Sequence, residues 1–476
     1  MSLTINKNNG DFLYQQVISL VQEMRQSSTL RPGDKLPSLR SMSDKLTVSI
    51  ATVKQAYEEL ERQSVIEARP KSGYFVKPSQ ASTAYPKRKK LAKKPLTVRR
   101  QTLIENVFEA INRDNIVPLG LANPASAHPC DKALARIMRR VISKAGAKSI
   151  NYGPMDGYLP LKRQIALRYL NDGLAVNPEE LLITNGAQEA ISIALQCVAK
   201  AGDVIAVESP AYFGVLELIE SLGMMALEIP LCPDEGIWLD DLAEAIAKHP
   251  IKACVFSTSI SNPLGSFMSD DKKEKLVSML EKSQIPLIED DVYGDLYFTE
   301  KRGVPAQFYS KKGLVLTCSS FSKTAAPGYR IGWLLAGKFT SEARRLKRAF
   351  SCSSPLLNQW ALAEFIASGE YERNMRLLRQ TLSLNKDRMI ALIRSEFPSS
   401  TRISDPKGAG VLWLELSSEY DSEELFYKAL EYNISICPGS LFSPSNKFNR
   451  CIRLSYGVIW NDQVEAAIKM VGKLCR

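Results

Sequence analysis

A single lysine among small hydroxylated residues is the feature of this sequence most suited to covalent chemistry. Lys323 follows the apolar run 314–318, and near it stand Ser320, Ser322 and Arg330. The run predicts a buried parallel strand, and ligands of open α/β sheets lie beyond the carboxyl ends of such strands. A desolvated lysine amine can form a Schiff base there, while hydroxyls and a guanidinium suit a phosphate. These residues suggest pyridoxal phosphate, although a strand-end loop with a solvent-facing lysine remains the alternative.

Polar residues at the ends of four earlier apolar runs fit the same cofactor. Asp290 can place an anion beside the pyridine nitrogen, which keeps the ring protonated and makes it an electron sink. Asn262 and Tyr293 can bind the ring oxygen, and Tyr212 offers a flat partner for the ring face. A helix start after run 181–184 has free amide groups for a phosphate. The expected phosphate cradle is Gly186, Ala187, Ser320, Ser322 and Arg330, with Gln188 beside it.

The composition bounds the class of protein. A chain of 476 residues is too long for one ordinary core, which predicts two or three domains. No apolar run approaches the roughly 20 residues that span a bilayer, and the start resembles no signal peptide, so we expect a cytoplasmic protein without a membrane partner. The nine cysteines form no Cys-x-x-Cys pair and there are only two histidines. We therefore expect reduced thiols, no metal site and no serine-type triad.

The net charge lies at one end of the chain. Residues 1–100 hold 19 Lys and Arg against 8 Asp and Glu, which is the whole net charge of +11. A basic head on a neutral body indicates that the head meets a polyanion while the body has another task.

The head predicts three helices and a β-hairpin. Apolar residues recur at helical spacing in 12–24, and two short helices follow, one at about 38–46 and one capped by Ser49. Runs 65–69 and 74–76 predict the two strands of a hairpin. Two short helices followed by a hairpin are typical of a winged helix-turn-helix, although such helices also occur as packing units without a DNA role.

The segments LYQQV, RPGDKLPSLRSM, VSIATVKQAYEELE and ARPKSGYFV together resemble the winged-helix head of the GntR family of transcription regulators. The resemblance implies that the third helix enters the major groove of double-stranded DNA while the hairpin touches backbone or minor groove. The expected DNA contacts are Arg40, Ser49, Ile50, Thr52, Lys54, Lys71, Ser72 and Gly73. Family members often carry arginine where this chain has Ile50, so a guanine contact is missing and base preference could differ.

The stretch after the head is strongly basic. Residues 77–100 hold nine basic residues, no acidic ones and three prolines, and show no apolar period. Such a stretch cannot bury enough surface to fold alone, so we expect a flexible linker at 78–104. Its charges either add nonspecific phosphate contacts or are merely solvated.

The remainder resembles the fold type I aminotransferases. Apolar strands alternate with helical segments, which predicts an α/β fold with a mostly parallel sheet. The matching segments are YGPMDGYLPLKRQIA, TNGAQEA, ESPAYFG, SNPLG, EDDVYGDL, SSFSKTAAPGYRIGW and KGAGVLWLEL. The resemblance implies a large cofactor domain with a smaller carboxyl-terminal α/β subdomain. Joined to the head, the chain resembles a MocR-type regulator, with a DNA-binding domain at 1–77 and an effector domain at 105–476.

The resemblance also implies residue roles. Lys323 would form the internal aldimine, while Asp290 pairs with the pyridine nitrogen and Tyr293 binds the ring oxygen with Asn262. In NRCIRLSYG, Arg453 would grip the carboxylate of a substrate or effector, a task suited to a guanidinium. Arg450 is the less favoured candidate. Asp291 is expected to be a solvated loop carboxylate.

Two classes of function follow. In the first, an amino compound displaces Lys323 from the cofactor aldehyde, and closure of the body repositions the heads on operator DNA. In the second, the chain is a working aminotransferase with a DNA-binding head. We favour the regulator, and a sensor of pyridoxal phosphate itself is a third possibility. The resemblance further implies a bacterial homodimer whose paired heads favour repeated half-sites.

Overall fold

The structure is a computed structural model that describes residues 12–26, 30, 33–62, 65–69, 72–77, 85–86, 88–97, 101–111, 113, 115–417, 419–445 and 447–476. The chain divides into two compact units. The first comprises Met1–Thr83 with Leu384–Glu396, and the second comprises Ala84–Ser383 with Phe397–Arg476.

The first unit contains the predicted winged helix-turn-helix. Its elements are α1 (Leu13–Gln26), α2 (Leu39–Leu46), α3 (Ile50–Arg62), β1 (Ile66–Arg69) and β2 (Gly73–Val76). Ser38 caps α2 by accepting from the Ser41 amide at 3.2 Å, and Ser49 caps α3 by accepting from the Thr52 amide at 3.0 Å. The strands pair antiparallel, and apolar residues of all three helices and both strands form one core. The expected head fold is therefore confirmed.

An eight-stranded sheet, counted over the described residues, dominates the second unit. Its strands are β4 (Leu181–Thr184), β5 (Val204–Ser209), β6 (Met225–Cys232), β7 (Gly236–Ile237), β8 (Ile251–Phe256), β9 (Leu287–Asp290), β10 (Val315–Ser320) and β11 (Gly332–Leu335), while β3 (Val117–Pro118) precedes them outside this sheet. The order is β4-β11-β10-β9-β8-β5-β6-β7, and β6, β5, β8, β9 and β10 run parallel. The inner strands are buried along their length, as expected when helices cover a parallel sheet.

Helices precede, join and follow these strands along the chain. They are α4 (Gln101–Ile111), α5 (Asp131–Ala145), α6 (Leu159–Asn171), α7 (Ala187–Val198), α8 (Phe213–Ser221), α9 (Leu239–Lys248), α10 (Asp270–Lys282), α11 (Thr340–Phe350), α12 (Leu356–Ala367) and α13 (Glu370–Glu396). Apolar side chains of α7 and α8 pack against the sheet in one large core. This α/β arrangement with a mostly parallel sheet confirms the predicted fold class.

A smaller sheet follows near the carboxyl terminus. The elements of this carboxyl-terminal region are β12 (Arg402–Ile403), β13 (Val411–Glu415), α14 (Ser422–Glu431), β14 (Ile434–Ser435), β15 (Cys437–Pro438), β16 (Cys451–Ser455) and α15 (Asp462–Leu474). The antiparallel order is β12-β13-β16-β15, and β14 pairs instead with β3. Arg453 stands opposite Trp413 in the middle of this sheet.

Part of the predicted linker belongs to the second unit and contacts its large sheet. The Leu96 amide donates to the Ala226 carbonyl at 2.9 Å, and the Ala226 amide returns a bond of 3.0 Å to Leu96. Helix α4 begins at Gln101, inside the predicted linker, and buries Leu103 and Val107. A basic stretch that cannot fold alone can still dock on a surface that is already folded. Within the described ranges, no helix combines the length and apolarity that crossing a bilayer requires.

Candidate functional site

The predicted cofactor residues meet at the carboxyl edge of the large sheet. They surround a cavity of about 120 Å³ whose lining is Ala187, Gln188, Ile191, Tyr212, Asn262, Asp290, Val292, Tyr293, Ser320, Ser322, Lys323 and Arg330. Apart from Arg330, which lies just before β11, each ends a strand, follows its carboxyl end or lies on the helix after it, and parallel strands bring those ends to one edge. Among the predicted cofactor residues, Gly186 alone is not part of the lining. Its missing side chain leaves room for the Arg330 guanidinium.

The lysine of this cavity has an amine that loses its proton more readily than an ordinary lysine does. Lys323 Nζ donates to the Ala122 carbonyl at 2.6 Å. Burial, together with the nearby charge of Arg453, lowers the pKa of Lys323 to about 8, although Asp290 opposes the shift. An amine with such a pKa is partly unprotonated near neutral pH, so it can attack an aldehyde.

Asp290 ends β9, and Tyr293 lies on the loop that follows. Burial raises the pKa of Asp290 to about 6, an effect that the Val292 amide and Lys323 oppose. The carboxyl accepts from the Val292 amide at 3.2 Å. The Tyr293 hydroxyl is buried and has no hydrogen-bond partner among the described residues. A buried hydroxyl without a partner is costly, so it fits a site whose ligand brings an oxygen.

The predicted phosphate cradle contains a close approach that requires glycine. Gly186 has φ of 85°, and a Cβ there would lie 2.4 Å from an Arg330 guanidinium nitrogen. Arg330 donates to the Asn185 carbonyl at 3.0 Å and to Ser322 Oγ at 3.4 Å. The amino end of α7 begins immediately after Gly186, where amide groups favour an anion. Gln188, by contrast, uses its side-chain amide to donate to the Gly214 carbonyl at 2.6 Å.

Arg453 is a buried cation near Lys323. Its guanidinium donates to the Gly120 carbonyl at 2.7 Å and to Asn262 Oδ1 at 3.1 Å, while Nε is buried without a partner among the described residues. Within that part of the chain no carboxylate forms an ion pair with it. Arg450 differs, since its side chain is 36% exposed and lies 3.7 Å from Glu415. A buried guanidinium without a counter-ion fits a ligand carboxylate better than an exposed, paired one.

Asp291 is the site residue for which the expectation is wrong. It is 2% exposed and forms an ion pair with Arg302, so it is not a solvated loop carboxylate. Its backbone is also held, because its amide donates to the Cys318 carbonyl and its carbonyl accepts from Ser319 Oγ, both at 2.9 Å. The strand ends inside the protein, and the residue after Asp290 points away from solvent.

Arg302 is the residue that sequence reasoning missed. Besides Asp291, its guanidinium contacts Asp295 at 2.9 Å and Asp172 at 3.3 Å. Asp295 in turn lies 2.8 Å from Arg168 and accepts from Tyr371 at 3.2 Å. The pairs with Asp291 and Asp295 hold both ends of the loop that carries Tyr293, so Arg302 positions this loop. The acidic spacing in EDDVYGDL was the available signal, but it does not identify the partner.

The expected DNA contacts in the first unit lie on exposed surface. Arg40, Ser49, Ile50 and Lys54 are exposed, and Thr52 Oγ1 lies 2.8 Å from Ser49 Oγ. Ser72 and Gly73, at the hairpin turn, are exposed as well, while Lys71 lies outside the described residues.

Comparison with known proteins identifies both parts of the chain. Residues 115–471 match the aminotransferase class I and II model, and residues 13–76 match the model for bacterial regulatory proteins of the gntR family. The chain is 34% identical to the HTH-type transcriptional regulator YjiR of Escherichia coli and 36% identical to YdcR of the same organism. Each alignment covers 97% of this chain and 98% of the relative.

A solved structure with the same fold is LysN, an α-aminoadipate aminotransferase from Thermus thermophilus. Its structure, complexed with N-(5'-phosphopyridoxyl)-L-leucine, superposes with a TM-score of 0.72 at 25% identity and covers 78% of this chain and 93% of LysN.

Proposed function

We propose that this chain, which belongs to the aminotransferase class I and II family and carries a gntR-family head, is a DNA-binding transcription regulator that senses a small amino compound. In this MocR-type arrangement, residues 1–77 bind operator DNA, residues 78–104 connect, and residues 105–476 bind the effector. The observation that carries the proposal is similarity over 97% of the chain to two HTH-type transcriptional regulators.

The cavity residues fit pyridoxal phosphate. Lys323 would hold it covalently, Asp290 would face the pyridine nitrogen, and Arg330 would bind the phosphate with Ser320 and Ser322. The unpartnered Tyr293 hydroxyl and the glycine-dependent cradle at Arg330 support this assignment. When bound, the cofactor supplies an aldehyde that combines with primary amines and a ring that withdraws electrons.

The effector that these residues would select carries an amine and a carboxylate. Arg453 would bind the carboxylate, because its guanidinium is buried and lacks an acidic partner among the described residues. The amine would replace the Lys323 amine at the cofactor, and Lys323 can accept a proton because burial has lowered its pKa to about 8. Binding then changes the contacts of Arg453 in β16, which offers a route from ligand to subdomain position.

A working aminotransferase with a DNA-binding head is the second candidate. The observation in its favour is that Lys323, with its lowered pKa, lies in one cavity with Asp290 and Tyr293, so a proton carrier is present. We also propose a homodimer, whose two heads would read repeated half-sites.

One experiment separates these candidates. The full-length protein, loaded with pyridoxal phosphate, is titrated with amino acids, amines without a carboxylate and pyridoxal derivatives. Visible absorbance and affinity for a DNA fragment selected by the protein from a random pool are followed together. A spectral change that alters DNA affinity supports the regulator. Steady keto-acid production with unchanged DNA affinity supports the enzyme and contradicts the sensing proposal.

A further inference from the structure

A basic segment before α4 contacts the rest of the second unit at three places, and we call each of these contacts a clip. We call residues 88–97 the strap. Its first two residues are cations that contact acidic and aromatic side chains, and its far end pairs with the edge of the large sheet through Leu96. The three contacts differ in kind, and this difference determines what the strap can do.

The first clip holds Arg88. One of its terminal guanidinium nitrogens donates to both carboxylate oxygens of Asp241, at 2.9 and 2.7 Å, and the guanidinium carbon lies 4.4 Å from the ring centre of Trp238. The Arg88 side chain is still 52% exposed, while that of Asp241 is 14% exposed. This clip combines an ion pair with a cation–π contact at the surface, so dissolved salt weakens it.

The second clip holds Lys89. Its ammonium lies 4.0 Å from Glu415 and 5.7 Å from the ring centre of Phe448. Glu415 ends β13, where it stands opposite Cys451 of β16, the strand that carries Arg453. Lys89 therefore rests on the small sheet that holds the proposed effector arginine.

The third clip is made of backbone. Leu96 and Ala226 exchange two amide-to-carbonyl bonds of 2.9 and 3.0 Å at β6. Backbone pairing of this kind responds much less to salt than a surface ion pair does. The strap is therefore held by backbone hydrogen bonds near α4. At its amino-terminal end, which we call the electrostatic end, it is held by the charged side chains of Arg88 and Lys89.

We propose that the electrostatic end is releasable: Arg88 and Lys89 leave Asp241 and Glu415 to contact DNA phosphates when the head binds DNA. The proposal rests on the proposed function of the head. The Arg88–Asp241 pair lies at the surface, where ion pairs are weak, and the Lys89–Glu415 contact is long at 4.0 Å, so a polyanion can compete with both. Since Lys89 rests on the sheet of Arg453, a ligand that moves this sheet changes how readily the cations are released.

The test weakens the acidic side of the clips without touching the cations. The double variant Asp241→Asn/Glu415→Gln is compared in full-length protein with wild type and with Glu244→Gln. Glu244 lies on the same helix as Asp241 but pairs with Lys248 at 2.6 Å, away from the strap. Binding to a fluorescent random-sequence duplex of about 30 base pairs is measured over a salt series. Trypsin cleavage after Arg88 is followed by mass spectrometry without DNA.

The expected result is faster cleavage after Arg88 and tighter DNA binding at low salt in the double variant, with Glu244→Gln unchanged. A second variant, Arg88→Gln/Lys89→Gln, removes one half-exposed cation and one that is 23% exposed and 4.0 Å from its acidic partner, and it should fold normally. Its salt slope should be shallower by up to about 1.8, since each lost phosphate contact removes about 0.9.

Unchanged cleavage in the double variant overturns docking of the strap. A salt slope that stays at the wild-type value in Arg88→Gln/Lys89→Gln overturns the exchange with phosphate, while wild-type DNA binding remains intact. If wild type itself shows no salt-dependent DNA binding, the proposed function of the head fails together with the exchange. The failures are therefore distinguishable.

Discussion

Replacing Arg302 by methionine tests whether a buried guanidinium holds the loop of the cofactor site. The substitution keeps an unbranched side chain of moderate length but removes the ion-pair partner of Asp291. The Asp291 side chain has no exposed surface, so water cannot replace that partner. Removing one partner of a buried ion pair destabilises a protein by about 3–5 kcal/mol. Asp295 keeps Arg168 at 2.8 Å and Tyr371 at 3.2 Å, so the lower end, about 3 kcal/mol, applies here.

The loss should depend on pH with a definite sign. Burial raises the pKa of Asp291 even beside Arg302, whose charge opposes the shift. Without Arg302 the pKa rises further, so the folded variant takes up a proton that the unfolded chain releases. Wild type already has this pKa raised to about 7, so the loss relative to wild type grows as pH rises from about 7 toward the higher pKa of the variant. We expect a smaller loss at about pH 5.5 than at about pH 8.

Two measurements check this. Urea unfolding of the cofactor-free protein gives the free energy of unfolding at both pH values, and absorbance titration gives the affinity for pyridoxal phosphate. We expect binding at least about tenfold weaker, or about 1.4 kcal/mol, because Asp290 and Tyr293 lose their fixed loop. Arg302→Lys should recover part of both losses, since it restores the charge without the planar fork.

The matched control is Arg345→Met, which removes an exposed arginine that pairs with Glu342 at 2.6 Å. It should leave the unfolding and the cofactor affinity unchanged. If Arg302→Met behaves like this control, Arg302 does not hold the loop. Equal loss of stability at both pH values with retained cofactor affinity would contradict this role as well.

Three further predictions concern the site and the head. Lys323→Ala should abolish the visible absorbance of lysine-bound cofactor, and absorbance that survives the substitution contradicts the assignment. In wild type, the rate at which cofactor-free protein captures pyridoxal phosphate should rise with pH through about 8, because the Lys323 amine loses its proton. Arg453→Gln should weaken the spectral response to amino acids by about 100-fold, given that charge-assisted bidentate bonds are lost, while the response to amines without a carboxylate persists; equal losses for both ligand classes would point to a damaged cavity. Lys54→Gln should weaken DNA binding similarly for all sequences and lower the salt slope by about 1. A sequence-dependent effect of Lys54→Gln would show that this lysine reads bases. Ile50→Arg, by contrast, should alter base preference in a selection from random DNA.

The cofactor cavity was largely predictable because its residues lie beside strand ends. Each of Tyr212, Asn262, Asp290 and Lys323 follows an apolar run that became a strand of the large sheet. Parallel strands place their carboxyl ends at one edge, so residues more than a hundred positions apart reach one cavity. Local sequence and one topological rule were enough to bring them together.

Asp291 and the strap were not predictable in the same way. Whether a carboxylate after a strand faces solvent or a buried guanidinium depends on where the chain returns, and Arg302 returns eleven residues later through a segment without a regular pattern. The composition of the linker is strongly basic and shows no apolar period, so it gives no sign of a packed segment. Its contacts with Asp241, Trp238 and Glu415 depend on a surface made by distant parts of the chain.

The amino-acid sequence by itself determined the two-part organisation, the winged helix-turn-helix, the α/β fold class and the identity of the cavity residues, because these follow from local periodicity, capping residues and strand-end placement. The tertiary structure alone decided which charges are paired. It left Arg453 buried without an acidic partner among the described residues, paired Asp291 with Arg302, and seated Arg88 on Asp241. Pairing of charges depends on distances between segments remote in sequence, and burial sets how strongly each pair matters.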